Sequence, residues 1–120
     1  MQWAVEFPIR RDQSLKKHMS DTPRSNSVRK IARITAKQGK ASLLQEALRI
    51  LEAATSQESG CIEFVFYQAL TEEGSFVLLE HFVDAEAFSA HIEMPHTKVF
   101  FQAALVERVN AVDVPSLGAK

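Results

Sequence analysis

The sequence predicts an α+β domain built on one antiparallel sheet. Three observations carry this. Apolar residues alternate in some stretches and recur every three or four residues in others; the stretches follow the order strand, helix, strand, strand, helix, strand; and turn residues stand at the changes of period.

Residues 1–27, with basic pairs Arg10-Arg11 and Lys16-Lys17 and a polar SDTPRSNS run, lack a sustained period and read as an amino-terminal extension. Within it Trp3, Val5, Phe7 and Ile9 alternate, which allows a short strand docked on a sheet edge or on a partner chain. Met19 is an alternative translation start, to be checked by intact mass. Order begins at Val28: VRKIARIT is rich in β-branched residues and ends at a turn on Gly39, giving the first strand. In KASLLQEALRILEAATSQE, Leu43, Leu44, Ala47, Leu48, Leu51 and Ala54 form one stripe, with Gln45, Glu46, Arg49 and Glu52 opposite, the pattern of an amphipathic helix. CIEFVFYQAL (61–70) and SFVLLEHFV (75–83) are two strands joined by TEEG. Asp84 is an N-cap candidate for AEAFSAHIEM, and Pro95 suits the first position of a further helix to about Leu105. VERVNAVDV closes the domain, so 28–114 is the folded unit and 115–120 a tail.

The order βαββαβ is the ferredoxin-like arrangement, four antiparallel strands with helices on one side. Its middle strands are apolar on both faces: Ile62, Phe64 and Phe66 alternate with Val65 and Tyr67, and Phe76, Leu78 and Phe82 with Val77, Leu79 and Val83. A sheet facing water on one side shows polar residues there. The second face therefore needs a cover, from the extension or from the same sheet of a second subunit, and an isologous homodimer is the simpler solution.

Composition narrows the function. At 120 residues, 46% apolar and 24% charged, the chain holds one core. A net charge of −1 and no dense basic stripe beyond the first thirty residues speak against nucleic acid. Cys61 is alone and reads as a small core residue, and no apolar run reaches membrane-span length or forms a secretory signal, so the cytoplasm is the expected compartment.

The candidate chemistry sits in AHIEMPHTKVFF. Phe88, His91 and Ile92, then His96, Val99 and Phe100, stand at helical i, i+3, i+4 spacing, so both imidazoles face the sheet. Five residues apart on a continuous helix they would diverge by roughly 140°, unlike a zinc pair. Glu80 and His81 interrupt an apolar strand, one on each face, and Tyr67 adds a phenol on the next strand. Polar groups among apolar ones need partners, and Tyr67, Glu80, His91 and His96 together suggest a small-molecule pocket rather than isolated core residues. His81 is a candidate for the subunit interface, and His18 for a solvated residue of the extension.

ITAKQGKASLLQEAL, SQESGCIEFVFYQ and FVLLEHFVDAEAFSAHIEMPHTKVF together resemble the antibiotic biosynthesis monooxygenase family of small dimeric α+β barrel proteins, which includes quinol monooxygenases. The resemblance covers about 28–114 and rests most on Glu58-Ser59-Gly60-Cys61, Glu80-x-Phe82 and His91-x-x-x-Pro95-His96. It implies oxygenation of a quinol or polyphenol by molecular oxygen without metal, flavin or haem. On that reading His91 or His96 is the base, Tyr67 and Glu80 orient, and Phe64, Phe82, Phe88 and Phe100 are walls. Phe82 stands where the family has Trp, and Ala32 nearest a haem-degrading Asn, which disfavours haem degradation. Two alternatives stay open. One is processing of a small phosphorylated sugar, with Arg33, Lys98 and Arg108 as the available cations; the other is a non-catalytic ligand-binding dimer.

Overall fold

The computed structural model describes residues 26–115; the alternating Trp3, Val5, Phe7 and Ile9 and the candidate start at Met19 lie outside them. The elements are β1 (Val28–Ala36), α1 (Ala41–Thr55), β2 (Cys61–Gln68), β3 (Ser75–Phe82), α2 (Ala85–Glu93), α3 (Pro95–Gln102) and β4 (Val106–Asp113). The strands form one antiparallel sheet in the order β2-β3-β1-β4. This is the expected ferredoxin-like βαββαβ fold, with its second helix split in two.

Register assigns the faces. Ala32 and Ile34 of β1 stand opposite Leu78 and Phe76 of β3, and Lys30 opposite Glu80. Across the other edge of β3, Phe64 and Phe66 of β2 stand opposite Glu80 and Leu78. Because strand side chains alternate, these residues share the face on which the helices lie. From α1, Leu44, Leu48, Leu51 and Thr55 are buried at spacings of four, three and four, one helical stripe. Leu43, expected in that stripe, is instead 56% exposed, because the helix turns its neighbour Leu44 to the sheet.

The helix ends three residues sooner than the periodic stretch. Tight turns follow, in which Gln57 N–H donates to Ala54 O, Glu58 N–H to Thr55 O and Cys61 N–H to Glu58 O. β2 is an edge strand, and its Phe66 N–H donates to Glu52 Oε1 at 2.9 Å, so a helix carboxylate occupies an edge donor that another chain could otherwise pair with. α3 stops at Gln102 rather than near Leu105, since Ala104 takes the left-handed conformation (φ 53°) that helices use to terminate.

The opposite face carries Ile31, Val65, Tyr67, Val77, Leu79 and Val112. Ile31, Tyr67 and Val112 are 40, 47 and 61% exposed, and the exposed Arg33, Arg108 and Asn110 share the face with them, so the single chain presents a mixed surface with apolar residues at its middle strands. His81 also lies on this side, where the Arg29 guanidinium donates to its Nδ1 at 3.4 Å. No helix among the described residues is long and apolar enough to cross a membrane.

Candidate active site

Local sequence chemistry seats three polar side chains at one end of the helix layer. The turn after α1 carries Glu58 and Gly60. An added methyl on Gly60 would overlap Ala87 Cβ, so the absence of a side chain there lets α2 sit directly on the turn. Asp84 caps α2, its Oδ1 accepting from Ala87 N–H at 2.8 Å. α2 ends at Met94, whose extended backbone (ψ 145°) precedes Pro95 at the first position of α3. Since the helix is not continuous, the expected divergence of His91 and His96 does not arise, and the break turns both imidazoles toward Glu58.

There a single carboxylate oxygen serves both. His91 Nδ1–H donates to Glu58 Oε2 at 2.9 Å and His96 Nε2–H donates to the same oxygen at 2.6 Å. A carboxylate only accepts, so each imidazole turns an N–H to it, and in the neutral form of His91 the lone pair is on Nε2. The side chains of Glu58 and His91 are 6% and 5% exposed and that of His96 is 23% exposed, so the cluster runs from the interior outward. Thr97 Oγ1 lies 3.4 Å from His91 Nδ1. Phe64 and Phe82 pack on the His91 ring at centroid distances of 5.2 and 5.1 Å.

His91 also lines a pocket of about 320 Å³ between the sheet and α2/α3, walled by Phe64, Phe66, Phe88 and Phe100 among other apolar residues. That volume is at the small end for ligand sites. Its floor carries Glu80 and Lys30, side by side across β3 and β1. Burial pushes the Glu80 carboxyl up from 4.5 to about 7, against the pull of the Lys30 ammonium, which lowers it. Lys30 Nζ donates to Asp113 at 2.6 Å and lies 5.2 Å from the Phe88 ring centre. The site thus pairs a fixed imidazole with a carboxyl able to donate a hydrogen bond near neutral pH, in an apolar surround.

Of the residues singled out from sequence, His91, Glu80, Phe64, Phe88 and Phe100 meet at this pocket. His96 does not line it; it meets His91 through the shared Glu58 Oε2 and through a ring contact at a centroid distance of 6.3 Å. Tyr67 is separated from the set: its partner across the strands is Val77, on the opposite face, because it stands an odd number of positions from Phe64. Phe82 is fully buried behind His91 rather than on the pocket wall. None of Arg33, Lys98 and Arg108 lines the pocket, whose only Lys or Arg among the described residues is Lys30.

Glu58 was missed as a functional residue. A loop acid has no period to mark it, and the signal was its place just before Gly60-Cys61, where the chain turns back under the histidines. Glu58, His91 and His96 offer three ligand atoms within 4.8 Å of one another, a set that could converge on a metal ion. The 2.6 Å separation of Oε2 and Nε2 is nonetheless that of a charge-assisted hydrogen bond, shorter than the roughly 3.3 Å that two ligands keep on a tetrahedral zinc.

The sequence profile of the family described as antibiotic biosynthesis monooxygenase matches residues 27–103. Among solved structures, PA3566 from Pseudomonas aeruginosa is 28% identical, with a TM-score of 0.73 over 80% of this chain and 99% of that one. Rv0793 from Mycobacterium tuberculosis is 25% identical, with a TM-score of 0.69 over 77% and 96% of the two chains. A structure described as an antibiotic biosynthesis monooxygenase is 20% identical, with a TM-score of 0.69 over 75% and 98%, a likeness of fold. No curated protein matches the chain.

Proposed function

The chain belongs to the antibiotic biosynthesis monooxygenase family, and on that premise we propose that it is a cofactor-independent monooxygenase of a small hydroxylated aromatic, a quinol or polyphenol, working as a cytoplasmic homodimer. The observation that carries the reading is His91, fixed by Glu58 through Nδ1 and set in the wall of a phenylalanine-lined pocket. His91 rather than His96 is then the base.

The chemistry balances with substrate and oxygen alone. His91 Nε2 takes a phenolic proton: the O–H bond breaks, an N–H bond forms, and the phenolate becomes electron-rich enough to reduce oxygen. One oxygen atom replaces a ring hydrogen as a hydroxyl, the other leaves as water, and the diol becomes the dione. All the electrons come from the substrate. Glu80, with its carboxyl raised to about 7, donates a hydrogen bond to a substrate oxygen and stabilises the charge that develops there. The phenylalanines exclude water from the intermediate.

The homodimer reading is supported by Ile31, Tyr67 and Val112, which are exposed on the outer face of the sheet in one chain, beside Val65, Val77 and Leu79. Light scattering at micromolar concentration should give twice the chain mass, and a monomer would remove this part of the proposal. For activity, metal-stripped protein is mixed with quinols and polyphenols while oxygen is recorded. Uptake above the protein-free rate, lost in His91→Ala, is the expected result. No uptake across the panel, or full uptake by His91→Ala, would refute the reading.

A further inference from the structure

We infer that Glu58 and His96 are positioning residues for His91, a carboxylate clamped from outside so that it holds the working imidazole in one tautomer and compensates its charge when it is protonated. The inference rests on His91 acting as the base. His91 alone of the three lines the apolar pocket, while Glu58 also lines a separate outer groove with Gly60, Asp84 and Met94. Glu58 therefore stands between the pocket and the outside. A carboxylate in that place could turn outward, where water would solvate it better than the interior does. The bond from His96, from the far side of the Met94 break, holds Oε2 against His91 instead.

The proton accounting needs no transfer to Glu58. When substrate O–H breaks and N–H forms at His91 Nε2, the positive charge lies beside Oε2, and the same proton later returns from Nε2 to the departing oxygen as water forms. A carboxylate oriented this way stabilises the imidazolium and the geometry together, as in serine-hydrolase triads. The other titratable groups around His91 are Glu80 on β3 and Lys30 on β1, both in the pocket, with Asp84 and Glu86 bordering the groove.

The test separates positioning from packing. Glu58→Gln keeps volume and one acceptor oxygen but no charge. It should lower kcat by about tenfold or more, with KM within about threefold, and move the acid limb of the pH–rate profile to lower pH. His96→Gln, which retains an N–H donor, should recover most of what His96→Ala loses. Unchanged kcat in folded Glu58→Gln, or equal losses in the two His96 variants, would overturn the inference.

Nitrogen NMR of the wild-type histidines, at a pH where both are neutral, reads the arrangement without substrate and without relying on a variant to fold. His91 should carry its proton on Nδ1 and His96 on Nε2, and one equivalent of zinc ion should leave both signals in place. A His91 proton on Nε2, or loss of both signals with zinc, overturns the assignment. Absent oxygen uptake in wild-type protein with these tautomers in place would count against the oxygenase reading and leave Glu58 as His91's holder.

Discussion

Replacing Glu80 by Gln removes a buried carboxyl that resists ionisation and should change how stability depends on pH. In the folded protein this carboxyl lies at about 7, against 4.5 for the free group. The folded state therefore binds its proton more tightly than the unfolded chain does. The cost of ionising it is absent at low pH, grows as pH rises through the interval and levels off above about 7. Linkage gives a penalty of about 1 kcal/mol at pH 5, about 2 kcal/mol at pH 6 and about 3 kcal/mol at pH 7, close to its limit. Relative to Glu80→Gln, the wild-type protein should thus lose about 2 to 3 kcal/mol between pH 5 and pH 8. Urea unfolding of both proteins across that range reads this directly, with chain concentration fixed so that association does not enter. At ordinary slopes the difference in midpoint should move by about 1 to 2 M. Parallel stabilities would show that the carboxyl is solvated in the folded protein, and a wild-type advantage growing with pH would mean that Lys30 outweighs burial.

Gly60→Ala should lower stability by roughly 1 to 3 kcal/mol, since its methyl displaces Ala87 and with it the helix that carries His91; an unchanged Tm would show that α2 is not seated on the turn. Ala104→Gly should raise stability by about 0.5 to 1 kcal/mol by relieving the left-handed backbone at the end of α3, and a fall in Tm would contradict this. Tyr67→Phe should leave kcat/KM within about twofold, because the phenol lies on the other face of the sheet; a tenfold loss would place it in the site.

The sequence by itself determined the order of elements, the division of each strand's residues between two faces and the inward turn of His91. These follow from local periods, two for a strand and 3.6 for a helix, which a chain displays wherever it is read. It also marked Asp84 as a cap and Pro95 as a helix start, since each acts on backbone groups within a few residues.

What only the tertiary structure decided depends on distances between segments remote in the chain. Tyr67, three positions from Phe64, falls on the opposite face of β2, so a polar residue type next to the site in sequence does not bring the phenol into it. That His96 serves Glu58 rather than the pocket depends on the bend at Met94, a backbone angle that no side-chain period encodes. Glu58 and His91 are 33 positions apart and meet because Gly60 admits Ala87. Glu80 stands out in the sequence as an acid within an apolar strand, but its readiness to stay protonated near neutral pH arises from desolvation by residues brought in from β1, β2 and the helices. Local propensity sets which atoms exist and which way they face, while close packing sets what they touch, and the chemistry of this site lies in the touching.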